Sequence, residues 1–278
     1  MKKSYNLLTE QDKQNIIDTY YNKTDMNFNE ISNLLQVSER SFARVLKENN
    51  INTSLKNRYT LNENYFDTIN SEHKSYFLGF LFADGFVGDD KFNNIVLSVH
   101  EKDRTILDIF KKELNFTGNI RTNKNKIGYK KTGIQYVINF SSKHMAETLR
   151  TYGLVKNRKS IIKNIPSCIP NNLINHFIRG YFDGDGSVCA YNKKNNVKLK
   201  DGSIKTYHYK KVKIDLICNK DFGETIMKYI GINSCHFSKS KCNDLYYLSI
   251  QAKNDLCIYK SYIYNNATIY LNRKYNKF

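Results

Sequence analysis

Two segments of this chain are apolar almost throughout, and each closes on an aspartate followed by glycine: FLGFLFADGFVG, Phe77 to Gly88, and FIRGYFDGDGSV, Phe177 to Val188. The apolar side chains of the first continue around every side of a helix rather than along one stripe, so such a helix must be buried on most faces. Gly85 is expected to stop it by turning left-handed after the last turn. Asp84 then stands at the negative end of the helix dipole, where an anion is disfavoured and a bound cation would relieve it. A lone Asp-Gly is an ordinary turn. The repetition argues otherwise, because Gly79, Ala83, Asp84 and Gly85 are matched by Gly180, Gly184, Asp185 and Gly186 at a constant offset of 101 residues.

Small residues four apart share a helical face, so Gly79 with Ala83 and Gly180 with Gly184 would let two helix backbones approach closely. A helix pair buried in a core is one reading of that pattern. The other starts from the carboxylates: helices packed side by side deliver Asp84 and Asp185 to the same end, and adjacent carboxylates repel unless a divalent metal neutralises them. Both segments resemble the LAGLIDADG motif of the homing endonucleases, the first over Phe77–Gly85 and the second over Ile178–Gly186. Single-chain members of that family carry two copies, and the resemblance extends over residues 60–278. It implies an α+β fold in which two pseudo-symmetric αββαββα halves form a DNA-binding saddle.

The sequence after each motif fits that implication. Strand-like Asn94–His100, a helix over Arg104–Leu114, strands near Gly118–Asn123 and Ile134–Ser141 and a helix from Lys143 follow the first. Strand-like Ser187–Tyr191 and Lys205–Ile217, a helix over Phe222–Tyr229, strands near Cys235–Lys241 and Tyr246–Gln251 and a last helix from Lys253 follow the second. Between the halves lie both prolines of the chain, Pro166 and Pro170, in what reads as an extended connector. Residues 9–50 read as three short helices: Thr9 opens a capping-box-like T-E-Q-D, and Ile16, Ile17 and Tyr20, then Ile31, Leu34 and Leu35, then Phe42, Val45 and Leu46 recur at helical spacing. Ser38 can cap the third, which carries Arg40, Arg44 and Lys47 and resembles the recognition helix of a helix-turn-helix. Gln36 stands in the turn where such motifs often have Gly, and a small protein-interaction module is the competing reading. The expected domains are 1–58 (helix-turn-helix-like), 59–156 (first half), 157–172 (linker) and 173–278 (second half).

Charge agrees with a nucleic-acid partner. The formal net charge is +18 over 278 residues, and residues 1–58 hold nine basic against seven acidic side chains, so the two halves carry nearly all of the excess. In the strand Lys205–Ile214, Val212 and Ile214 should face inward while Lys211 and Lys213 face outward. Arg121, Lys124, Lys239 and Lys241 lie on the corresponding later strands and complete the candidate DNA-binding set, a solvated lysine face being the alternative for any single one. No run of 18 apolar residues and no charged-then-apolar leader is visible, so the chain is expected to be soluble and cytoplasmic, in a bacterium or a phage-infected cell, with an organelle the other compartment it fits. The six cysteines contain no C-x-x-C pair and read as reduced, mostly core-filling thiols.

Phosphodiester cleavage needs an activated water, a neutralised pentavalent phosphate and a stabilised leaving oxygen, which carboxylate-held Mg²⁺ or Mn²⁺ supplies. By the resemblance, Asp84 and Asp185 are the catalytic metal ligands, one per half for two cuts. Lys143 and Lys253, each ending a strand and opening the last helix of its half, are candidates for the basic residue that family members usually add near each site. His100 is a candidate polar residue of the water shell, with Asn219 its weaker counterpart. The expected function is a monomeric, site-specific endonuclease making double-strand cuts in a long asymmetric DNA target. An intron RNA maturase, or a non-cleaving DNA-binding regulator of the same fold, is the alternative. An intein fits less well, since terminal splicing residues are not seen.

Overall fold

Three side-chain caps set the amino-terminal helices. The computed structural model describes residues 2–23, 26–51, 59–89, 91–123, 133–155, 161–241 and 244–278. Helix α1 (Glu10–Asn22) begins at a full capping box, in which Thr9 accepts from the Asp12 N–H at 3.1 Å and Asp12 accepts from the Thr9 N–H at 3.0 Å. Helix α2 (Phe28–Leu34) repeats the device with Asn27 and Glu30, and α3 (Glu39–Glu48) is capped by Ser38. Ile16, Tyr20, Ile31, Val37, Phe42, Val45 and Leu46 close a small core. Leu34 departs from the sequence expectation and is 53% exposed, because α2 ends there and only Ile31 and Ser32 of this helix are buried. Gln36, at φ +55°, takes the left-handed conformation that glycine would adopt most readily.

The rest of the chain runs the same topology twice. Helix α4 (Glu72–Asp84), capped by Ser71, leads into β1 (Gly85–Val87), β2 (Asn94–His100), α5 (Arg104–Glu113), β3 (Arg121–Asn123), β4 (Gln135–Ser141) and α6 (Lys143–Thr151). A 3-10 turn (Asn171–Leu173) behind Pro170 opens α7 (Ile174–Asp185), followed by β5 (Gly186–Lys198), β6 (Ile204–Cys218), α8 (Lys220–Ile230), β7 (His236–Lys239), β8 (Tyr246–Ile250) and α9 (Lys253–Tyr264). The sheets have matching orders, β1-β2-β4-β3 and β5-β6-β8-β7, so this is the α+β repeat that the motifs implied.

Two features exceed the sequence reading. The hairpin β5–β6 pairs continuously from Gly186↔Leu216 to Lys198↔Ile204, so that β6 begins within one residue of the expected Lys205 while β5 runs well past its expected end at Tyr191. Residues 189–210 are exposed on both faces, so the polar outer part of β5 carries no in-out alternation to reveal it, and Gly202 at φ +85° makes the turn. A further short helix, α10 (Asn272–Tyr275), follows α9, so Lys253 does not open the last helix of the chain.

Contacts divide the chain into two compact units, Met1–Glu63 with Val99–Ser141, and Asn64–Ser98 with Ser142–Phe278. Both motif helices fall in the second, because they pack on each other. Among the described cysteines only Cys218 is buried, whereas Cys189 and Cys257 are exposed, so thiols do not fill the core as expected. No described helix is long and apolar enough to cross a membrane.

Candidate active site

Helices α4 and α7 meet backbone to backbone. A Cβ added at Gly79 would lie 2.0 Å from the carbonyl oxygen of Phe177, and one at Gly180 would lie 1.9 Å from that of Tyr76. The reciprocity is that of a two-fold axis between the helices. One turn further on, a Cβ at Gly184 would fall 2.3 Å from Ala83 Cβ and 3.3 Å from Asp84 Oδ2. Residues Ser75 to Ala83 of α4 are all buried, which is why its sequence shows no polar face.

This contact brings the motif aspartates to one end of the pair. Each is the final residue of its helix, and the Asp84 carboxylate lies against Gly184, the neighbour of Asp185. Asp84 is exposed; Asp185 is half-buried, with Oδ2 closed off from solvent. The Asp185 charge is felt by the Cys218 thiol, which is pushed up to about 12, first by its own burial and then by that carboxylate. The glycines after the aspartates do not turn left-handed as expected: Gly85 has φ −73° and ψ 162°, Gly186 φ −83° and ψ 158°, both extended and entering a strand. What they supply is room, since a Cβ would meet the carbonyl oxygen four residues back at 2.7 Å for Gly85 (Leu81) and 2.6 Å for Gly186 (Phe182).

The second aspartate of the F-D-G-D-G segment points the other way. Asp183 is buried and its Oδ2 accepts from the Tyr76 hydroxyl and the Leu271 N–H, each at 2.8 Å. Burial raises its pKa to about 6 against the opposing pull of Lys274. Arg179, fully buried within α7, donates to Glu72 of α4 at 2.7 Å, to the carbonyls of Ile263 and Ile269, and to His176 Nδ1 at 2.7 Å. Glu72 in turn accepts from Thr268 and Ile269. Lys274, also buried, donates to backbone carbonyls at the end of α7. Sequence reasoning named none of these groups. The available signal was a charge inside an otherwise apolar motif helix, at Arg179 and Asp183.

The remaining sequence candidates are more dispersed. Lys143 opens α6, is exposed, and has its ammonium 3.8 Å from Glu147. Lys253 opens α9 and is exposed. His100 and Asn219 occupy equivalent places after β2 and β6 and act as N-caps, accepting from the N–H groups of Lys102 at 3.3 Å and Asp221 at 2.9 Å. On the second sheet, Val212 and Ile214 share one face and Lys211 and Lys213 the other; Lys213 pairs with Asp215 at 2.7 Å, and the Ser249 hydroxyl also donates to Asp215. Lys239 pairs with Asp244 at 3.3 Å, and Arg121 and Lys241 are exposed. Lys124 lies outside the described residues. In the amino-terminal module Arg40 and Lys47 are exposed on α3, whereas the Arg44 guanidinium lies 3.9 Å from the Tyr5 ring centroid and pairs with Glu48 at 2.8 Å.

The paired carboxylates offer hard oxygen donors, which suits Mg²⁺ or Mn²⁺; such ions take few protein ligands and fill the rest of their shell with water and phosphate oxygens. A side chain at position 184 would strike Ala83 and crowd the Asp84 carboxylate, so its absence lets the helix ends meet. Among the described residues no three of His, Cys, Asp and Glu gather to hold an ion, so an all-protein cage such as structural zinc does not fit.

Comparison with known proteins finds a family model that matches the second half. Residues 172–264 match the family model described as a LAGLIDADG-like domain. Among solved structures, the I-SmaMI LAGLIDADG homing endonuclease bound to cleaved DNA aligns over 76% of this chain and 87% of its own, with 15% sequence identity and a TM-score of 0.49. The I-LtrWI LAGLIDADG homing endonuclease bound to target DNA aligns over 74% and 87%, with 14% identity and a TM-score of 0.47. I-SmaMI bound to uncleaved DNA in the presence of calcium ions aligns over 68% and 82%, at 16% identity and a TM-score of 0.44. No curated protein sequence matches the chain.

Proposed function

We propose that this chain, whose residues 172–264 match the model of a LAGLIDADG-like domain, is a site-specific homing endonuclease that cuts both strands of a long, asymmetric DNA target as a monomer. The observation that carries the proposal is the delivery of Asp84 and Asp185 to one end of two helices in backbone contact. A bound Mg²⁺ or Mn²⁺ would activate water, offset the charge of the pentavalent phosphate and stabilise the leaving oxygen. The two carboxylates would hold it. Lys143 and Lys253 are the residues proposed to organise water and offset charge in the first and second half, with His100 a further polar group of the first.

The long hairpin β5–β6 carries Lys193, Lys194, Lys198, Lys205, Lys210 and Lys211 over its exposed length, a cationic ribbon suited to a phosphate backbone. The amino-terminal module is proposed to add flanking contacts as a helix-turn-helix, through Arg40 and Lys47 more than through the engaged Arg44. By descent the chain is proposed to divide as 1–58, 59–156, 157–172 and 173–278.

The test is a plasmid carrying the uninterrupted insertion site, incubated with the protein and Mg²⁺. The wild type should linearise it. Asp84→Asn and Asp185→Asn should each abolish that cleavage while gel-shift binding in EDTA largely survives. If binding is lost together with cleavage, the aspartates are structural; if the wild type binds but never cuts, a regulator of the same fold is the better reading, and intron splicing without cleavage would mark a maturase.

A further inference from the structure

Lys274, in the carboxyl-terminal segment, is buried in the second compact unit, only 3% exposed, among backbone carbonyls, the Phe182 ring and the Asp183 carboxylate. Its Nζ donates to the oxygens of Asp183 and Gly186 at 2.6 Å each and of Phe182 at 2.8 Å, with that of Gly184 at 3.3 Å. Burying such a cation is costly unless it is compensated, and here the compensation comes from the carbonyls at the negative end of a helix dipole and from the buried Asp183 carboxylate. A helix end leaves up to four carbonyls without an intrahelical partner. In α7 the Gly186 N–H takes that of Phe182, and Lys274 covers this one again together with those of Asp183 and Gly184.

The residues held in this way stand on both sides of Asp185. Lys274 is itself held by a segment stitched to the helix pair: the Leu271 N–H donates to Asp183, those of Thr268 and Ile269 to Glu72, and Arg179 reaches the Ile263 and Ile269 carbonyls. The duplication supplies a counterpart in sequence, since Asn157-Arg158-Lys159 repeats Asn272-Arg273-Lys274 at an offset of 115 residues, but residues 157–159 lie outside the described residues.

We propose that Lys274 is a positioning residue for Asp185, fixing the backbone on either side of that carboxylate. The inference rests on the endonuclease reading for its consequence in cleavage but not for its structural content. Lys274→Met keeps the length of the side chain and removes its donors and charge, and Lys274→Arg restores both.

The experiment takes the metal-free full chain and follows amide hydrogen exchange. In Lys274→Met, exchange over Gly184–Ser187 should rise by about ten-fold or more while that over Asp84–Phe86 stays as in the wild type, and Lys274→Arg should recover most of the protection. With Mg²⁺ and the plasmid, Lys274→Met should accumulate nicked circles where the wild type gives linear product. Unchanged exchange at Gly184–Ser187, an equal rise at both helix ends, or loss of the fold would each overturn the proposal. A wild type that never cuts would defeat the endonuclease reading alone, leaving the exchange result to decide the role of Lys274.

Discussion

Gly79→Ala adds one methyl group where the helix pair leaves no room. Its Cβ would lie 2.0 Å from the Phe177 carbonyl oxygen and 2.9 Å from the Tyr181 nitrogen, whereas an unstrained carbon–oxygen contact needs about 3.3 Å. The backbones must therefore part by roughly 1 Å at the crossing, and a gap of that size forfeits about a quarter to a half of each dispersion contact along it. Helix propensity runs the other way and favours alanine by about 1 kcal/mol. Overpacking of a closed core costs about 1–3 kcal/mol before the widened interface is counted, so the net destabilisation should be about 2–4 kcal/mol. Gly180→Ala meets the Tyr76 carbonyl oxygen at 1.9 Å and should cost as much by itself. Because one separation accommodates both methyl groups, the double variant should be less unstable than the sum by about 1 kcal/mol or more. Urea unfolding of the three variants measures all of this. Single variants as stable as the wild type, or more stable as propensity alone dictates, would refute the backbone contact; strict additivity would refute the shared separation.

Two further predictions concern groups away from the carboxylates. His176 is held at a pKa of about 4, by burial first and by the adjacent Arg179 second, and its neutral Nδ1 is needed as an acceptor for that guanidinium. A depressed histidine contributes stability that is present above its unfolded pKa of about 6.5 and is lost as pH falls toward 4, by up to about 3 kcal/mol. Asp183, raised to about 6, titrates with the opposite sign in the same window, so the informative quantity is the wild-type unfolding free energy minus that of His176→Asn, which should fall between pH 6.5 and 4; a flat difference would contradict the burial of a neutral ring. Gln36→Gly relieves a left-handed residue worth about 1–2 kcal/mol but adds about 0.5–1 kcal/mol of unfolded-state entropy, so chemical denaturation should show a small net gain, up to about 1 kcal/mol, and a clear loss would mean that the Gln36 side-chain bond to the Asn33 carbonyl outweighs the strain.

Much of the fold was legible because its determinants are local and periodic. The offset of 101 residues marked the repeat, the small residues marked the helix contact, and Thr9 and Ser38 marked helix starts that the structure caps with those same side chains. The outer half of β5 was not legible, since a strand exposed on both faces has no reason to alternate and its register is fixed by pairing alone. Leu34 was misplaced because periodicity assigns a face without saying where the helix ends.

Within the site, the limit of the sequence is clearest in F-D-G-D-G. Asp183 and Asp185 differ by two positions, about 200° around a helix, so they cannot share a face. Alignment with the first motif singled out Asp185, yet nothing in the composition of the segment tells that Asp183 turns inward to Tyr76 and the Leu271 N–H, which are 107 residues earlier and 88 later in the chain. The partners that make a buried aspartate tolerable are long-range, as are those of Arg179 and Lys274. A carboxylate two residues from a candidate metal ligand is thus kept out of the site by the carboxyl-terminal segment, which occupies its acceptor oxygen. One aspartate is left to face the partner helix, and the geometry of the pair then depends on a part of the chain that the motif does not contain.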